Sequence, residues 1–206
     1  MFRDRSAAAR SLSEALKHFA GRNPLVLAIP RGAVPMGRII ADALGGELDV
    51  VLGRKLRAPH EPEVAVGSVS ESGWTYLAPF AARLGADDAY IAKEKAVQLA
   101  TIRRRRAQYT PIRPPIDPAG RIVIVVDDGL ATGATMVSAL HDLRTRGPAR
   151  LVCAVPVAPA DTLATVRPLA DEVICLLTPS YFSAVGQFYV DFSQVGDDEV
   201  VAILKE

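Results

Sequence analysis

Residues 123–135 constrain the fold of this chain more than any other feature, and they read VIVVDDGLATGAT. The segment begins inside an unbroken β-branched run, 122–126, which is typical of a central strand buried on both faces. Two adjacent acids, Asp127 and Asp128, follow, and small residues then lead into a helix predicted over about 132–145. Open α/β sheets bind their ligands at the carboxyl ends of the strands. The segment therefore predicts an α/β fold with a binding site at the end of this strand.

The rest of the chain alternates between strand and helix patterns. Further strands are predicted over 25–29, 49–52, 151–157 and 173–177, and further helices over about 4–19, 35–44, 87–108, 162–169 and 197–204. A hairpin is predicted from 64–69 and 74–77, whereas 54–62 is polar and is interrupted by two prolines, which exclude a regular helix. This order is typical of a mostly parallel sheet with helices on both faces. We expect one domain over 1–206.

Composition narrows the class of protein. Of the 206 residues, 50% are hydrophobic and 23% are charged, which suits a buried core. The formal net charge is only +1, so nucleic acid is not an expected partner. No apolar run is long enough to span a membrane, and the first residues lack the apolar stretch of a secretory signal. Cys153 and Cys175 lie in strand-like stretches and are expected to be free thiols. A cytoplasmic protein is the expectation.

The loop that follows the two acids suits a phosphate monoester. Its small side chains leave backbone N–H groups accessible, and Gly133 permits a positive φ angle. A helix N-terminus adds unpaired N–H donors, and Thr132 and Thr135 can each donate a hydroxyl. The adjacent carboxylates would repel a phosphate. They suit vicinal sugar hydroxyls, a bound Mg²⁺ or a sugar ring that becomes cationic.

The strand, the acid pair and the Thr-Gly-x-Thr loop resemble the signature with which type I phosphoribosyltransferases bind 5-phosphoribosyl-1-pyrophosphate (PRPP). The resemblance implies a Rossmann-like core with a small hood. It implies that Asp127 and Asp128 are catalytic and hold the ribose hydroxyls, and that they hold Mg²⁺ mainly indirectly, through those hydroxyls and water. The second acid is often glutamate in the family and is aspartate here. The residues expected around the ribose and the 5′-phosphate are Asp127, Asp128, Gly129, Ala131, Thr132, Gly133, Ala134 and Thr135.

The resemblance also assigns a pyrophosphate-binding loop to residues 29–35. Arg31 can pair with pyrophosphate oxygens in a bidentate manner, and Gly32 lets the backbone come close. The family further implies a strained or cis peptide bond near Arg31 and Gly32. An ordinary turn with a solvated arginine is the alternative.

A mobile catalytic loop is implied for residues 54–62, within a flexible segment of about 54–73. Cations that arrive on loop closure would stabilise the leaving pyrophosphate. Lys55 is the first candidate, both for catalysis and for binding pyrophosphate. Arg57 is also predicted to be catalytic, with Arg54 and His60 behind it. A basic surface loop is the alternative.

Aromatic residues are concentrated near the end of the chain, in a segment of about 179–193 that corresponds to the hood. Tyr181, Phe182 and Phe188 are the predicted stacking platform for a nucleobase, and Asp191 could accept from a ring N–H. These rings could equally close the core.

The function that these expectations imply is transfer of the phosphoribosyl group of PRPP to a nitrogen acceptor. The acceptor would be a purine or pyrimidine base or an amine, and pyrophosphate would be released. A PRPP-sensing regulator of the same fold without transferase activity is the alternative. A homodimer is left open.

Overall fold

The computed structural model describes all residues, 1–206. The eight strands are β1 (Leu25–Ala28), β2 (Glu47–Val50), β3 (Gly53–Arg57), β4 (Ala65–Ser70), β5 (Thr75–Leu77), β6 (Ile122–Val126), β7 (Arg150–Val157) and β8 (Glu172–Leu177). The six α-helices are α1 (Arg5–Ala15), α2 (Val34–Leu44), α3 (Asp88–Tyr109), α4 (Ala134–Thr145), α5 (Ala160–Val166) and α6 (Asp197–Lys205). None of these helices combines the length and apolar character that crossing a bilayer requires.

The centre of the molecule is a parallel five-stranded sheet in the order β2-β1-β6-β7-β8. Strand β6 is its middle strand, and its side chains alternate between two apolar cores. Val123 and Val125 pack in the core that α4 and α5 cover, whereas Ile124 and Val126 pack in the core that contains α1 and α2. All four are fully buried, and each such side chain contributes about 1.5–3 kcal/mol of burial free energy. The prediction of a parallel sheet with helices on both faces is confirmed.

Helix α1 begins where the sequence predicts and ends earlier. The Asp4 carboxylate caps it by accepting from the backbone N–H of Ala7 at 2.7 Å. The helix stops at Ala15, and a separate 3₁₀ turn covers Lys17–Phe19. Leu16 and Phe19 nevertheless stay fully buried, because the tighter turn keeps them on the core side. The apolar spacing therefore predicted the buried face correctly and the length of the helix wrongly.

Strand β3 corrects the prediction that residues 54–62 are irregular. It pairs antiparallel with β4, which pairs with β5 as the predicted hairpin, and the three form a second sheet. Leu56 is the fully buried anchor of this otherwise cationic strand. The register shifts between Leu56 and Arg57, as at a β-bulge. The remainder of 54–62 is not helical, as the prolines predicted; that 54–73 is flexible stays a prediction.

Candidate functional site

A cleft of about 540 Å³ lies at the carboxyl ends of β1 and β6. Strand β3 forms its opposite wall, and the tail after β8 closes one end. The residues that line it are Arg5, Ile29, Pro30, Arg31, Gly32, Gly53, Arg54, Lys55, Arg57, Pro62, Glu63, Asp127, Asp128, Gly129, Leu130, Ala131, Thr132, Gly133, Ala134, Thr135, Met136, Val185, Phe192, Gln194 and Val195. Residues from all three predicted loops therefore meet in one place.

The acid pair lies directly after β6. The Oδ1 atom of Asp127 accepts from the backbone N–H of Asp128 at 2.9 Å, and the Oδ2 atom of Asp128 accepts from Arg5. The remaining carboxylate oxygens, Oδ2 of Asp127 and Oδ1 of Asp128, make no hydrogen bond within the protein. The chain thus leaves two adjacent acceptors unused at the cleft.

Burial and mutual repulsion affect the pKa values of the two carboxylates. Burial, followed by the neighbouring Asp128 charge, raises the pKa of Asp127 well above its ordinary value. Burial also raises the pKa of Asp128, although pairing with Arg5 offsets part of that rise. Lys55, across the cleft, favours the charged form of both acids. Both carboxylates therefore depend on nearby cations or hydroxyl donors to carry their charge.

The loop after the acids has the geometry that its small residues predicted. Gly133 precedes the first residue of α4 and has φ +70°, a left-handed conformation that side chains disfavour. A Cβ atom at this position would lie 2.7 Å from Cγ2 of Thr162. The Thr162 hydroxyl donates to the carbonyl of Ala131 at 2.6 Å and ties α5 to the loop. The open helix N-terminus and the exposed Thr132 side chain face the cleft together.

The predicted pyrophosphate loop lies beside the acids. A cis peptide bond joins Pro30 to Arg31, one bond before the position that the resemblance implied. A Cβ atom at Gly32 would collide with Oδ2 of Asp128, so only glycine allows this backbone to approach the acid so closely. The Arg31 guanidinium lines the cleft and lies 3.6 Å from the carboxylate of Asp197 at the start of α6.

The cations of β3 have different surroundings. Arg57 donates through Nε to Oε1 of Glu94 at 2.8 Å, and its backbone N–H bonds the same oxygen at 3.2 Å. Arg54 donates to the side-chain carbonyl of Gln98 at 3.1 Å. Glu94 and Gln98 lie one turn apart on α3 and are among the few buried polar side chains. Lys55 points into the cleft without a protein hydrogen-bond partner.

This network distinguishes the candidate cations. The pKa of Arg57 rises because of its hydrogen bond to Glu94, whereas burial lowers the pKa of Arg54. His60 does not line the cleft. Lys55, Arg54 and Arg57 do line it, although Arg54 and Arg57 are held from behind by α3.

Arg5 is a cleft residue that the sequence patterns did not predict. It is the first residue of α1, and its guanidinium enters the cleft and contacts Asp128 at 2.8 Å through both Nε and Nη2. Its Nη1 atom donates to the carbonyl of Ser193 at 2.6 Å. No local pattern marks this residue, because 123 positions separate it from its acidic partner.

The aromatic side chains predicted to stack on a base lie outside the cleft. Tyr181 is 76% exposed, and Phe182 and Phe188 pack on each other with ring centroids 5.3 Å apart. Asp191 is exposed and bonds to Ser193. The tail residues that do line the cleft are Val185, Phe192, Gln194 and Val195.

Tyr189, which neighbours those aromatics, is buried and belongs to the core. Its hydroxyl donates to the backbone carbonyl of Asp128 at 2.6 Å. Burial, reinforced by the charge of Asp128, raises the pKa of this phenol, so it remains a donor. One ring of the tail therefore supports the acid pair from behind, while Phe192 faces the cleft.

The donors at the cleft fit a magnesium ion that takes most of its ligands from a substrate. No group of three His, Cys, Asp or Glu side chains is close enough together to hold a metal. The two unused carboxylate oxygens are the ligand type that Mg²⁺ prefers, and Mg²⁺ commonly binds through one or two carboxylates together with phosphates and water.

Comparison with known proteins gives a family match over most of the chain. The model described as "Phosphoribosyl transferase domain" matches residues 5–193. A Mycobacterium tuberculosis protein that is provisionally named a phosphoribosyl transferase is 42% identical over 205 residues, 99% of this chain. The matched region is 46% of that relative's length, so the chain spans about half of it.

One solved structure is similar to this chain over nearly its whole length, and a shorter match is to a named phosphoribosyltransferase. The crystal structure of TT1426 from Thermus thermophilus has a TM-score of 0.82 at 46% identity, over 99% of this chain and 97% of that one. An adenine phosphoribosyltransferase from Rhodospirillum centenum is 35% identical over 95 residues, which is 44% of this chain and 55% of the relative.

Proposed function

The chain belongs to the phosphoribosyltransferase family, and we propose that it transfers the 5-phosphoribosyl group of PRPP to a nitrogen acceptor and releases pyrophosphate. The main support for the proposal is a pair of carboxylate oxygens, one on Asp127 and one on Asp128, that accept no hydrogen bond from the protein. They lie between the loop that precedes helix α4, which suits a phosphate, and the cations of strand β3. Two adjacent acceptors suit two vicinal hydroxyls, and ribose offers such a pair.

The two ends of PRPP would occupy opposite sides of this acid pair. The 5′-phosphate suits the helix N-terminus at Gly133, where free N–H groups and the helix dipole favour an anion. The pyrophosphate suits Arg31 and Lys55, which line the cleft on the other side. Arg31 would exchange its 3.6 Å contact with Asp197 for phosphate oxygens.

Charge development supports the same assignment. When the bond between C1 and the pyrophosphate oxygen breaks, the ribose ring becomes cationic and the leaving group gains negative charge. The carboxylates of Asp127 and Asp128 then lie near the positive ring, and Lys55 can neutralise the leaving oxygen. The chain therefore contributes positioning and charge stabilisation more than proton transfer.

Magnesium is proposed as the cofactor. When bound with PRPP, Mg²⁺ would neutralise the pyrophosphate and make it a better leaving group. Asp127 and Asp128 would hold the ion mainly indirectly, through the ribose hydroxyls and water.

The acceptor would enter beside the tail. Phe192, Val185 and Val195 offer apolar contacts at the cleft, although Arg5 and Tyr189 already lie against the Phe192 ring, and the Gln194 amide can both donate to and accept from a ring. The four residues proposed from the sequence, Tyr181, Phe182, Phe188 and Asp191, do not line the cleft, and their role in base binding stays a prediction. The similarity to an adenine phosphoribosyltransferase makes adenine the first base to test.

The experiment is pyrophosphate release from PRPP and Mg²⁺ against a panel of bases and simple amines, with PRPP binding measured by calorimetry. Release that depends on one acceptor supports the transferase. PRPP binding without release, for every acceptor, would favour the PRPP-sensing regulator. Absence of PRPP binding would refute both.

A further inference from the structure

The side chain of Arg5 makes more contacts than would be needed only to hold helix α1 against the tail. Its side chain is only 13% exposed, and every nitrogen of its guanidinium has a partner. Nε and Nη2 contact Asp128, Nη1 contacts the carbonyl of Ser193, and the guanidinium carbon lies 3.9 Å from the centre of the Phe192 ring. A cation held on three sides has one fixed orientation, and so does the carboxylate that it pairs with.

Another set of contacts already joins the N-terminal segment to the tail. The backbone N–H of Phe2 donates to Phe188 at 2.7 Å, and its carbonyl accepts from Val190 at 2.9 Å. The carbonyl of Arg3 accepts from Asp191 at 2.9 Å. The Phe2 ring also packs on Tyr189, with centroids 5.6 Å apart. Arg5 is therefore not required to hold these segments together.

The ion pair with Arg5 leaves only one oxygen of the Asp128 carboxylate free to accept a hydrogen bond from a ligand. Both contacting nitrogens of Arg5 reach Oδ2, and Gly32 packs close to that same oxygen. Asp128 lines the cleft, and its Oδ1 atom accepts no hydrogen bond from another side chain. Tilting the carboxylate plane away from Arg5 would leave an unpaired, partly buried charge, which is costly, so the pairing fixes the orientation of that plane.

We propose that Arg5 is a positioning residue that fixes the Asp128 carboxylate so that Oδ1 is presented to a ribose hydroxyl, with Phe192 and Ser193 as its brace. The proposal rests on the proposed function, since it assigns Asp128 to the ribose. Arg5 itself does not touch the reacting atoms. Its effect is specific to ligands that carry ribose hydroxyls.

The test compares two probes by calorimetry in the presence of Mg²⁺, ribose 5-phosphate and inorganic pyrophosphate. Arg5→Met removes the charge and the donors and keeps an unbranched stem. It should weaken ribose 5-phosphate binding by about tenfold or more, because truncating one member of a buried charge pair is costly. Pyrophosphate binding, which does not use Asp128, should change less than about twofold. Equal weakening of both probes, or of neither, would overturn the proposal.

Two further variants test whether the effect of Arg5→Met is specific to this arginine and whether it depends on the geometry of the guanidinium. Arg150→Met removes an arginine that also pairs with a carboxylate, Glu172, at 2.8 Å and lies 5.6 Å from an aromatic ring, Phe19, outside the cleft. It should bind both probes as the unmodified chain does. Arg5→Lys keeps the charge and should lie between the unmodified chain and Arg5→Met, because one ammonium cannot reproduce the planar fork. If Arg5→Met fails to fold, Arg5→Lys decides: unchanged ribose 5-phosphate binding overturns the proposal.

A double-mutant cycle tests whether Phe192 affects ribose 5-phosphate binding by holding Arg5 in place. Phe192→Leu alone should weaken ribose 5-phosphate binding, and it should weaken it less when Arg5 is already methionine. Fully additive effects would show that Phe192 does not act through Arg5. Absence of ribose 5-phosphate and PRPP binding in the unmodified chain would refute the proposed function. Normal binding by both the unmodified chain and Arg5→Met would refute only the role of Arg5.

Discussion

Gly133→Ala should reveal how closely the phosphate-type loop is fitted to its surroundings. Two costs follow from the structure. A left-handed conformation, here φ +70°, costs an alanine roughly 1–2 kcal/mol. The new Cβ would lie 2.7 Å from Cγ2 of Thr162, whereas carbon atoms pack at roughly 3.5–4.0 Å. Crowding of this kind in a packed region adds about 1–3 kcal/mol.

A matched control separates the two costs. Gly147 has φ +67° and lies just after α4, and a Cβ there would meet nothing within 4 Å. Gly147→Ala should therefore lose only the conformational part of the free energy of unfolding, about 1–2 kcal/mol. Gly133→Ala should lose about 2–5 kcal/mol. Urea denaturation of the two variants measures the difference directly.

PRPP affinity should also be lowered more by Gly133→Ala than by Gly147→Ala. Relief of the contact with Thr162 moves the loop N–H groups by a substantial fraction of an ångström, which should weaken PRPP affinity by about tenfold or more. Gly147→Ala should bind PRPP normally. Calorimetry gives both affinities.

A second substitution checks the cause. Thr162→Ser removes the crowding methyl group and keeps the hydroxyl that donates to Ala131. Gly133→Ala combined with Thr162→Ser should therefore recover the stability of Gly147→Ala and most of the PRPP affinity. The reasoning fails if Gly133→Ala is no worse than Gly147→Ala, or if the serine restores nothing.

Four other variants test the acids and the cations. Replacing Asp127 and Asp128 together by asparagine should abolish PRPP binding and leave the circular dichroism spectrum unchanged, and near-normal turnover would contradict their role. Because the pKa of Asp127 is raised, its ionised form opposes folding above that pKa, so Asp127→Asn alone should raise the urea midpoint near pH 7. Lys55→Ala should lower kcat more than PRPP affinity, and equal losses would mean that Lys55 only binds. Glu94→Gln should lower kcat/KM by roughly tenfold in steady-state kinetics by releasing Arg57, and unchanged kinetics would show that this pairing has no catalytic use.

Sequence patterns predicted the parts of the site that local chemistry determines. The β-branched run before Asp127 requires burial on both faces, and only the middle of a sheet provides it. Gly133 was predicted to take a positive φ angle because a small-residue loop entering a helix needs one. In both cases the neighbours in sequence are also the neighbours in space.

Sequence patterns did not predict the features that depend on contacts between residues far apart in the chain. Strand β3 was predicted to be irregular because Leu56 is its only buried apolar residue and the neighbouring cations hide the strand pattern. The strand forms because it pairs with the hairpin that follows it in the chain. Arg5 has no signal, since its partner, Asp128, is 123 residues away in the sequence. In the tail, no period distinguishes the ring that faces the cleft, Phe192, from those that pack elsewhere.

The two walls of the cleft belong to different sheets, and this has a consequence for hydrogen exchange. Asp127 follows β6, whose backbone is paired on both sides within the five-stranded sheet. Its amides should exchange only when the whole molecule unfolds. Lys55 lies in β3, an edge strand of the three-stranded sheet, whose amides can exchange through local opening. The wall that carries Lys55 should therefore open locally more readily than the strand that leads into the acid pair, and hydrogen exchange of the β3 and β6 amides would measure the difference.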